Sequence, residues 1–332
     1  MGIQSSNATI ERRILPPPTH ALAENTQSQR SGNGSIVVSG ANGFLGRHCC
    51  RSFATAGFEV RGLVRNPDAN DDLRSSAPGG LFHCDLPGAV DDAAFQGDVQ
   101  AFVHCAYATV EIGSNKAQRT NIEGTEALMR FARKSNVRQK VFISSLSAHP
   151  RAASLYGRTK LRLEKLFNSA SDTIIKPGTI IGNGGVFERT REMLGRLPVV
   201  PLFFANRQLQ TVWIGDVCNS ILAAVQGHVF GSLVIAHPKG VPLPEFYRRI
   251  AALDGRKVRF LPFPGDLAVL LTSLLEKSGI QLPIHSDNLL GMKHLEWFDP
   301  APDLARVGID PLSFEASIEL LEDHTTHDSR KS

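Results

Sequence analysis

The stretch Ile36-Val37-Val38-Ser39-Gly40-Ala41-Asn42-Gly43-Phe44-Leu45-Gly46 decides how the rest of this chain is read. A short β-branched run enters three glycines spaced G-x-x-G-x-x-G, and a helix-forming segment follows over residues 47–56. A strand that turns sharply into a helix leaves backbone N–H groups pointing outward at the positive end of the helix dipole. A pyrophosphate can sit there if no Cβ blocks its approach. The spacing differs by one residue from the G-x-G-x-x-G of dinucleotide-binding turns, and glycine turns also close ordinary βα units. The motif therefore needs support from the rest of the sequence.

Outward from that stretch, strand and helix patterns alternate. Strands are expected at residues 36–39, 59–64, 80–83, 101–105, 140–144 and 172–176. Helices are expected at 44–56, 117–135 and 156–169; in the second of these Ile122, Ala127, Leu128 and Phe131 recur at helical spacing. Short strands separated by helices predict an α/β fold, a doubly wound parallel Rossmann sheet with ligands at the carboxyl ends of its strands. After Pro177 the pattern loosens and proline becomes frequent, with a strand expected at 212–217, a helix at 217–226 and a strand at 233–236. This divides the chain into a nucleotide-binding domain over 35–176, a smaller C-terminal α/β substrate-binding region over 177–325, and a flexible C-terminus over 326–332. Residues 1–34 are polar and interrupted by Pro16-Pro17-Pro18, so they are expected to form a disordered tail.

Composition excludes several classes. The formal net charge is +4, from 36 basic and 32 acidic residues without a block of one sign, which gives no reason to expect nucleic acid as a partner. The five cysteines show no C-x-x-C spacing and read as buried free thiols of a cytoplasmic protein. The histidines form no H-x-x-x-H pair, so no metal site is expected. No segment reaches the roughly 18 uninterrupted apolar residues of a membrane span.

The chemistry is carried by Tyr156-Gly157-Arg158-Thr159-Lys160. At i and i+4 on a helix, Tyr156 and Lys160 share one face, so an ammonium can approach the phenol and favour its ionised form. Such a tyrosine can exchange a proton with a hydroxyl or carbonyl while hydride moves to or from a nicotinamide. Together with the glycine turn, this pair resembles the short-chain dehydrogenase/reductase superfamily. Asn121-Ile122-Glu123-Gly124-Thr125, Lys176-Pro177-Gly178-Thr179-Ile180-Ile181-Gly182 and Trp213-Ile214-Gly215-Asp216-Val217 resemble motifs of its extended, epimerase/dehydratase branch. The likeness covers about residues 35–231.

The resemblance implies a set of roles. Gly40, Asn42, Gly43, Phe44, Leu45 and Gly46 would form the pyrophosphate turn. Asp85 and Leu86 would lie beside the adenine, Ala106 and Pro177 beside the cofactor, and Lys160 on the nicotinamide ribose. A substrate-orienting serine is implied among Ser144, Ser145 and Ser147, with Ser145 the first choice. Where NAD binders of this fold place a carboxylate about 20 residues past the glycines, this chain has Val64 followed by Arg65, which favours NADP(H) over NAD(H) through the 2′-phosphate. Extended members commonly act on nucleotide-diphosphate sugars, so an NAD(P)-dependent sugar epimerase or reductase of polysaccharide biosynthesis is expected, acting by Tyr-Lys assisted hydride transfer. Leu146 after Ser145 disfavours a dehydratase. The second reading is a non-catalytic NADP(H)-binding structural or redox-sensing protein; such relatives often lack the tyrosine–lysine pair.

One segment stands apart. Leu267, Leu270, Leu271, Leu274 and Leu275 recur at helical spacing after Leu261-Pro262-Phe263-Pro264. They read either as a helix packed on the core or as a lipid-facing or partner-facing helix. Peripheral membrane contact and a homodimer therefore stand among the partner expectations.

Overall fold

A run such as Ile36-Val37-Val38 points alternately to both sides of a strand, so it needs apolar cover on each face. The computed structural model, which describes residues 33–108, 115–197, 199–280 and 284–328, supplies that cover. Strand β1 (Ser35–Ser39) is buried along its whole length inside an eight-stranded sheet. It pairs in parallel with β2 (Glu59–Val64) on one side and β5 (Val99–His104) on the other. Beyond β2 lie β3 (Leu81–Asp85) and the short antiparallel β4 (Ala89–Val90). Beyond β5 lie β6 (Gln139–Ile143), β7 (Thr173–Pro177) and β12 (Gly231–Ile235), all parallel.

Alternate residues of these strands feed two apolar layers. Ile36 and Val38 join Val103, Val141 and Ile175 against Cys50 and Phe53 of α1 (Phe44–Thr55) and Val217 and Ile221 of α5 (Ile214–Gln226). Val37, Phe102, Phe142 and Ile174 face the opposite way, against Leu128 and Met129 of α2 (Asn115–Lys134) and Leu163 of α3 (Leu155–Glu164). Helices on both faces of a mostly parallel sheet make this the expected doubly wound fold. The chain leaves β1 toward β2 on one side while β5 begins the other half, so the crevice between the carboxyl ends of β1 and β5 is the topological switch point.

The C-terminal part builds its own apolar cluster. Phe187 and Leu194 of α4 (Gly185–Arg196) meet Phe246 and Ile250 of α6 (Leu243–Ala252) and Phe314 and Ile318 of α10 (Phe314–Asp328). Trp213 touches both this cluster and the first sheet layer, to which α9 (Ala301–Val307) adds Leu304 and Val307. Two short parallel pairs, β8 (Thr179–Ile181) with β11 (Thr211–Trp213) and β9 (Val199–Leu202) with β14 (Arg259–Pro262), lie in this part. A short antiparallel pair joins β10 (Gln208–Leu209) to β13 (Val241–Pro242).

Several element boundaries differ from the sequence expectation. The strand expected at 212–217 ends at Trp213, and α5 begins at Ile214 with Asp216 in its first turn, where a carboxylate suits the helix dipole. The helix expected at 156–169 ends at Glu164. There the chain tightens into i→i−3 bonds, Leu166 N–H to Leu163 O at 3.0 Å and Phe167 N–H to Glu164 O at 3.1 Å. The expected N-terminal tail falls almost wholly on residues 1–32, outside the described residues. The last four residues of the expected flexible C-terminus lie outside them too, while α10 runs to Asp328.

The leucine-rich segment forms α7 (Gly265–Lys277), in which only Ala268 is buried. Leu267, Leu270, Leu271, Leu274 and Leu275 are 38–55% exposed, each forgoing part of the roughly 1.5–3 kcal/mol that full burial of a leucine contributes. The expectation of a core-packed helix fails here. Among the described residues no helix is long and apolar enough to cross a membrane.

Candidate active site

The glycine turn closes β1 at the switch point. Gly40 has φ +63°, a left-handed conformation that a side chain disfavours, and a Cβ there would come within 2.8 Å of Ala106 Cα. At Gly46 a Cβ would collide with the Gly40 carbonyl, so that glycine is required by packing. Gly43 differs. A Cβ there would meet only the Gly40 oxygen, at 3.1 Å, so the fold itself hardly demands a glycine. Gly43 is the N-cap of α1, and no side chain caps the helix. An uncapped helix N-terminus beside a glycine that packing does not require fits a pyrophosphate. Phe44 turns its ring toward Gly182, where a Cβ would lie 2.9 Å from it. The Lys176-to-Gly182 turn and the glycine loop thus meet. Asn42 and Leu45 complete the loop, and the Asn42 carbonyl accepts from the Arg47 guanidinium at 3.1 Å.

The neighbouring strand ends converge on the same crevice. Ala41 N–H donates to Leu63 O at 3.3 Å, which brings the loop to the end of β2. Two residues on, Arg65 is exposed and makes no ion pair or hydrogen bond among the described residues. Asp85 ends β3, and Leu86 packs against Gly124 of α2, where a Cβ would lie 2.9 Å from the Leu86 Cβ. Pro177 ends β7 opposite Ile235. The glycine cradle and the open helix end together fit the pyrophosphate of a nicotinamide dinucleotide.

Beneath Ala106 lies a buried relay. Thr125 Oγ1 donates its proton to Asn121 O at 2.6 Å, so it must accept from His104 Nε2–H at 2.9 Å. Burial, with a smaller contribution from the Lys160 charge, pushes His104 down to about 3, so the ring is neutral and Nδ1 accepts from the Ser39 hydroxyl at 2.6 Å. Ser39 Oγ in turn accepts Ala106 N–H at 3.4 Å. Asn121 also clamps Ala108, accepting its N–H at 2.7 Å and donating to its carbonyl at 3.1 Å. The N-x-x-G-T motif therefore holds the loop after β5.

Helix α3 carries Tyr156 and Lys160. Its N-cap Ser154 accepts Gly157 N–H at 3.1 Å. The Asp287 carboxylate accepts the Leu155 and Tyr156 N–H groups at 2.5 and 3.2 Å. Burial pushes the Tyr156 phenol up; a hydrogen bond with the Ser145 side chain, then the Arg189 charge, act in the opposite direction. Lys160 differs from the sequence expectation. Its ammonium, only 5% exposed, donates to Ile143 O at 2.7 Å and lies 4.1 Å from the centroid of the Tyr107 ring. A buried ammonium must take an acceptor, and the strand-end carbonyl is the one within reach. Lys160 is not among the groups that lower the Tyr156 phenol. Burial holds Lys160 itself down to about 7.

The three candidate serines separate. Ser144 is buried and donates to Glu164, which also pairs with Lys176 at 3.1 Å. Ser147 donates its N–H to Ser145 Oγ at 3.1 Å. Ser145 is the one whose side chain acts on the Tyr156 phenol, lowering it. Sequence reasoning missed three residues. Tyr107 stacks edge-on to Tyr156 with centroids 5.4 Å apart, Arg189 of α4 reaches the phenol through its charge, and Asp287 caps the helix. Tyr107 follows the strand-end triplet His104-Cys105-Ala106 directly and was within reach of the motif; Asp287 carries no local signal. Among the described residues no group of His, Cys, Asp and Glu could hold a metal ion. Four of the five free cysteines are buried and Cys105 is partly exposed.

Residues 36–184 match the model of the NAD dependent epimerase/dehydratase family. Over those residues the chain is similar to that family. A ceramide reductase of Caulobacter vibrioides is 29% identical over 248 residues, 70% of this chain and 75% of its own. The UDP-glucose 4-epimerase of Thermus thermophilus, solved with NAD, superposes with TM-score 0.63 at 18% identity, over 87% of this chain and 98% of that one. The terminal R domain of the myxalamid PKS-NRPS pathway superposes with TM-score 0.64 at 17% identity, over 95% of each chain. At such identities these two structures share the fold.

Proposed function

We propose that this chain is an NADP(H)-preferring oxidoreductase that interconverts a ketone and a secondary alcohol, with Tyr156 as the proton-transferring group. The observation that carries the reading is the cluster after β5 and β6, where the Tyr156 ring meets Tyr107 edge-on at 5.4 Å and the Lys160 ammonium lies 4.1 Å from the centroid of that same Tyr107 ring. The nicotinamide, when bound, supplies or accepts the hydride. Ser145 and Tyr156 hold the substrate oxygen between two hydroxyls, and Tyr156 gives it a proton on reduction or removes one on oxidation. The Tyr156 phenol, raised by burial, is protonated at neutral pH and so is set to donate. Lys160 holds the ribose hydroxyls and adds positive charge behind the phenol once it turns from Ile143 O. Gly40, Asn42, Gly43, Phe44, Leu45 and Gly46 cradle the pyrophosphate, Arg65 the 2′-phosphate, Asp85 and Leu86 the adenine, and Ala106 and Pro177 flank the nicotinamide side.

For the substrate, the ceramide reductase relative supports a ketone on a long-chain lipid, reduced in the cytoplasm, with residues 177–325 selecting it. A nucleotide-linked sugar of polysaccharide biosynthesis is the second reading. The Arg189 charge beside Tyr156 favours it, because a diphosphate would need such a cation.

Tyr156→Phe keeps the ring and removes the proton. Turnover of a long-chain lipid ketone should fall about 10²–10⁴-fold with NADPH affinity unchanged. A UDP-sugar panel run in parallel separates the two substrates. Full activity of Tyr156→Phe on an identified substrate refutes the role of the tyrosine. Tight NADPH binding by the wild type without turnover of any ketone, alcohol or sugar nucleotide leaves the non-catalytic binding protein.

A further inference from the structure

Among the described residues, the fold leaves an apolar face of α7 uncovered. Leu267, Leu270, Leu271 and Leu274 of α7 are exposed, as are Leu261 of β14 before it and Ile280 after it. A thirteen-residue helix with one buried residue has not placed its apolar side chains for the core of this chain. We propose that this face is a membrane-docking surface that seats the protein on an anionic phospholipid bilayer and brings the Tyr156 site to a substrate held there. The proposal rests on the reductase reading with a long-chain lipid ketone.

Charge selects the occupant. Lys257 and Arg259 precede the leucines and Lys277 ends the helix. All three are exposed, and among the described residues none has an ion pair. The carboxylates of the same region are engaged elsewhere. Asp266 pairs with Lys293 at 2.6 Å, Glu276 binds His285 at 3.0 Å and the Ser286 N–H at 2.9 Å, and Asp287 caps α3. An apolar face bordered by unpaired cations at both ends matches the layering of an anionic membrane surface, acyl chains below and phosphates around the rim. A second copy matches it poorly. A second copy would add the same cations, and among the described residues the carboxylates of the segment, Asp266 and Glu276, are already engaged.

The face is joined to the site. Helix α8 (Ser286–Lys293) packs alongside α7, and its Asp287 receives the backbone N–H of Tyr156 itself. Between α8 and the loop before α3 lies a small cleft lined by Ser147, His149, Ser154, Gly291 and His294. A bilayer beneath α7 would therefore lie one helix away from the helix that carries the proton donor.

The test is co-sedimentation of the full chain with vesicles of mixed phosphatidylglycerol and phosphatidylcholine, and with vesicles of phosphatidylcholine alone. The wild type should sediment with the mixed vesicles, less with the neutral ones, and less again at high salt. Leu270→Glu/Leu274→Glu should lower partition onto mixed vesicles about tenfold or more. The same variant should keep wild-type NADPH affinity and wild-type turnover of a short, water-soluble ketone, because its changes lie on an exposed surface. A wild type that stays in the supernatant overturns the proposal, as does a double variant that sediments like the wild type. So does a wild-type dimer that the variant splits without any vesicle binding, which would assign the face to a second copy. Absence of ketone turnover in the wild type defeats the reductase reading instead, and the vesicle measurement reads out separately from it.

Discussion

The Lys160 ammonium lies 4.1 Å from the centroid of the Tyr107 ring while it donates to the Ile143 carbonyl at 2.7 Å. The ring's negative face and one carbonyl replace the water that an ammonium would otherwise keep. The replacement is incomplete, which is why burial holds Lys160 down to about 7 from 10.5.

That shift has a stability consequence of definite sign. Between about pH 7 and 10.5 the unfolded chain binds the lysine proton and the folded chain does not, so wild-type stability rises with pH through that window. Below it the buried charge costs the fold its full amount. Lys160→Met removes the charge, so its stability relative to wild type should be most favourable near about pH 6 and decline by a few kcal/mol toward about pH 10. Urea unfolding at both pH values measures it; a pH-independent difference refutes the buried, shifted lysine. Activity should fall in the same variant, since Lys160 is proposed to serve the ribose.

Much of this was legible in the sequence, for a physical reason. The parallel sheet is buried on both faces, so its strands announce themselves as apolar runs, and Glu59–Val64 begins and ends where the pattern placed it. The glycine turn was legible because the left-handed φ of Gly40 and the close approach at Gly46 demand glycine, and the tyrosine helix because Tyr156 and Lys160 stand one turn apart in the sequence. The partner of Lys160 was not. Spacing at i and i+4 places two side chains on one face, but it cannot say that the ammonium will find a strand-end carbonyl 17 positions earlier in the chain. Asp287 is 131 positions from Tyr156, and nothing local marks such a contact. Helix α7 defeated the core reading because leucine periodicity reports which face is apolar, not whether the chain covers it.

Arg65 supplies a test of cofactor choice. It stands exposed at the end of β2, unpaired among the described residues, two residues beyond the Leu63 carbonyl that binds the glycine loop. Arg65→Glu should weaken NADPH binding by roughly 1.5–3 kcal/mol, the scale of a hydrogen bond to a charged group, and leave NADH affinity nearly unchanged. Fluorescence titration with both cofactors reads this out. Equal losses, or a wild type that prefers NADH, would sink the NADP(H) assignment.

Gly43→Val separates a ligand requirement from a folding requirement. A Cβ at Gly43 meets only the Gly40 oxygen at 3.1 Å, so the variant should fold with a small loss of stability. Its methyls would stand in front of the uncapped amides of α1, where the pyrophosphate must approach. NADPH affinity should drop at least about 100-fold, the cost of losing the charge-assisted bonds to those amides. Circular dichroism establishes the fold, and unchanged affinity in a folded variant reduces the loop to a structural turn.

The buried His104 yields a pH dependence of the same sign in a lower window. Its folded pKa is depressed to about 3 from 6.5, because the ring is buried and both nitrogens are committed, Nε2 to Thr125 and Nδ1 to Ser39. As pH falls below about 6.5, the unfolded chain takes up the proton and the folded chain does not, so stability contributed here is present above 6.5 and lost progressively toward 3. His104→Gln keeps a side-chain amide in reach of Thr125 but cannot titrate. It should be less stable than wild type by about 1–3 kcal/mol at neutral pH, the cost of the imperfectly satisfied relay. The gap should narrow as the pH is lowered toward about 4, because only the wild type carries this histidine proton linkage. Carboxylates titrate in both proteins, so the difference between them isolates the histidine. A gap that stays constant over this range would falsify the neutral, doubly bonded ring. The same variant should bind NADPH more weakly, since Ser39 would lose the partner that orients it toward the Ala106 N–H at the cofactor crevice.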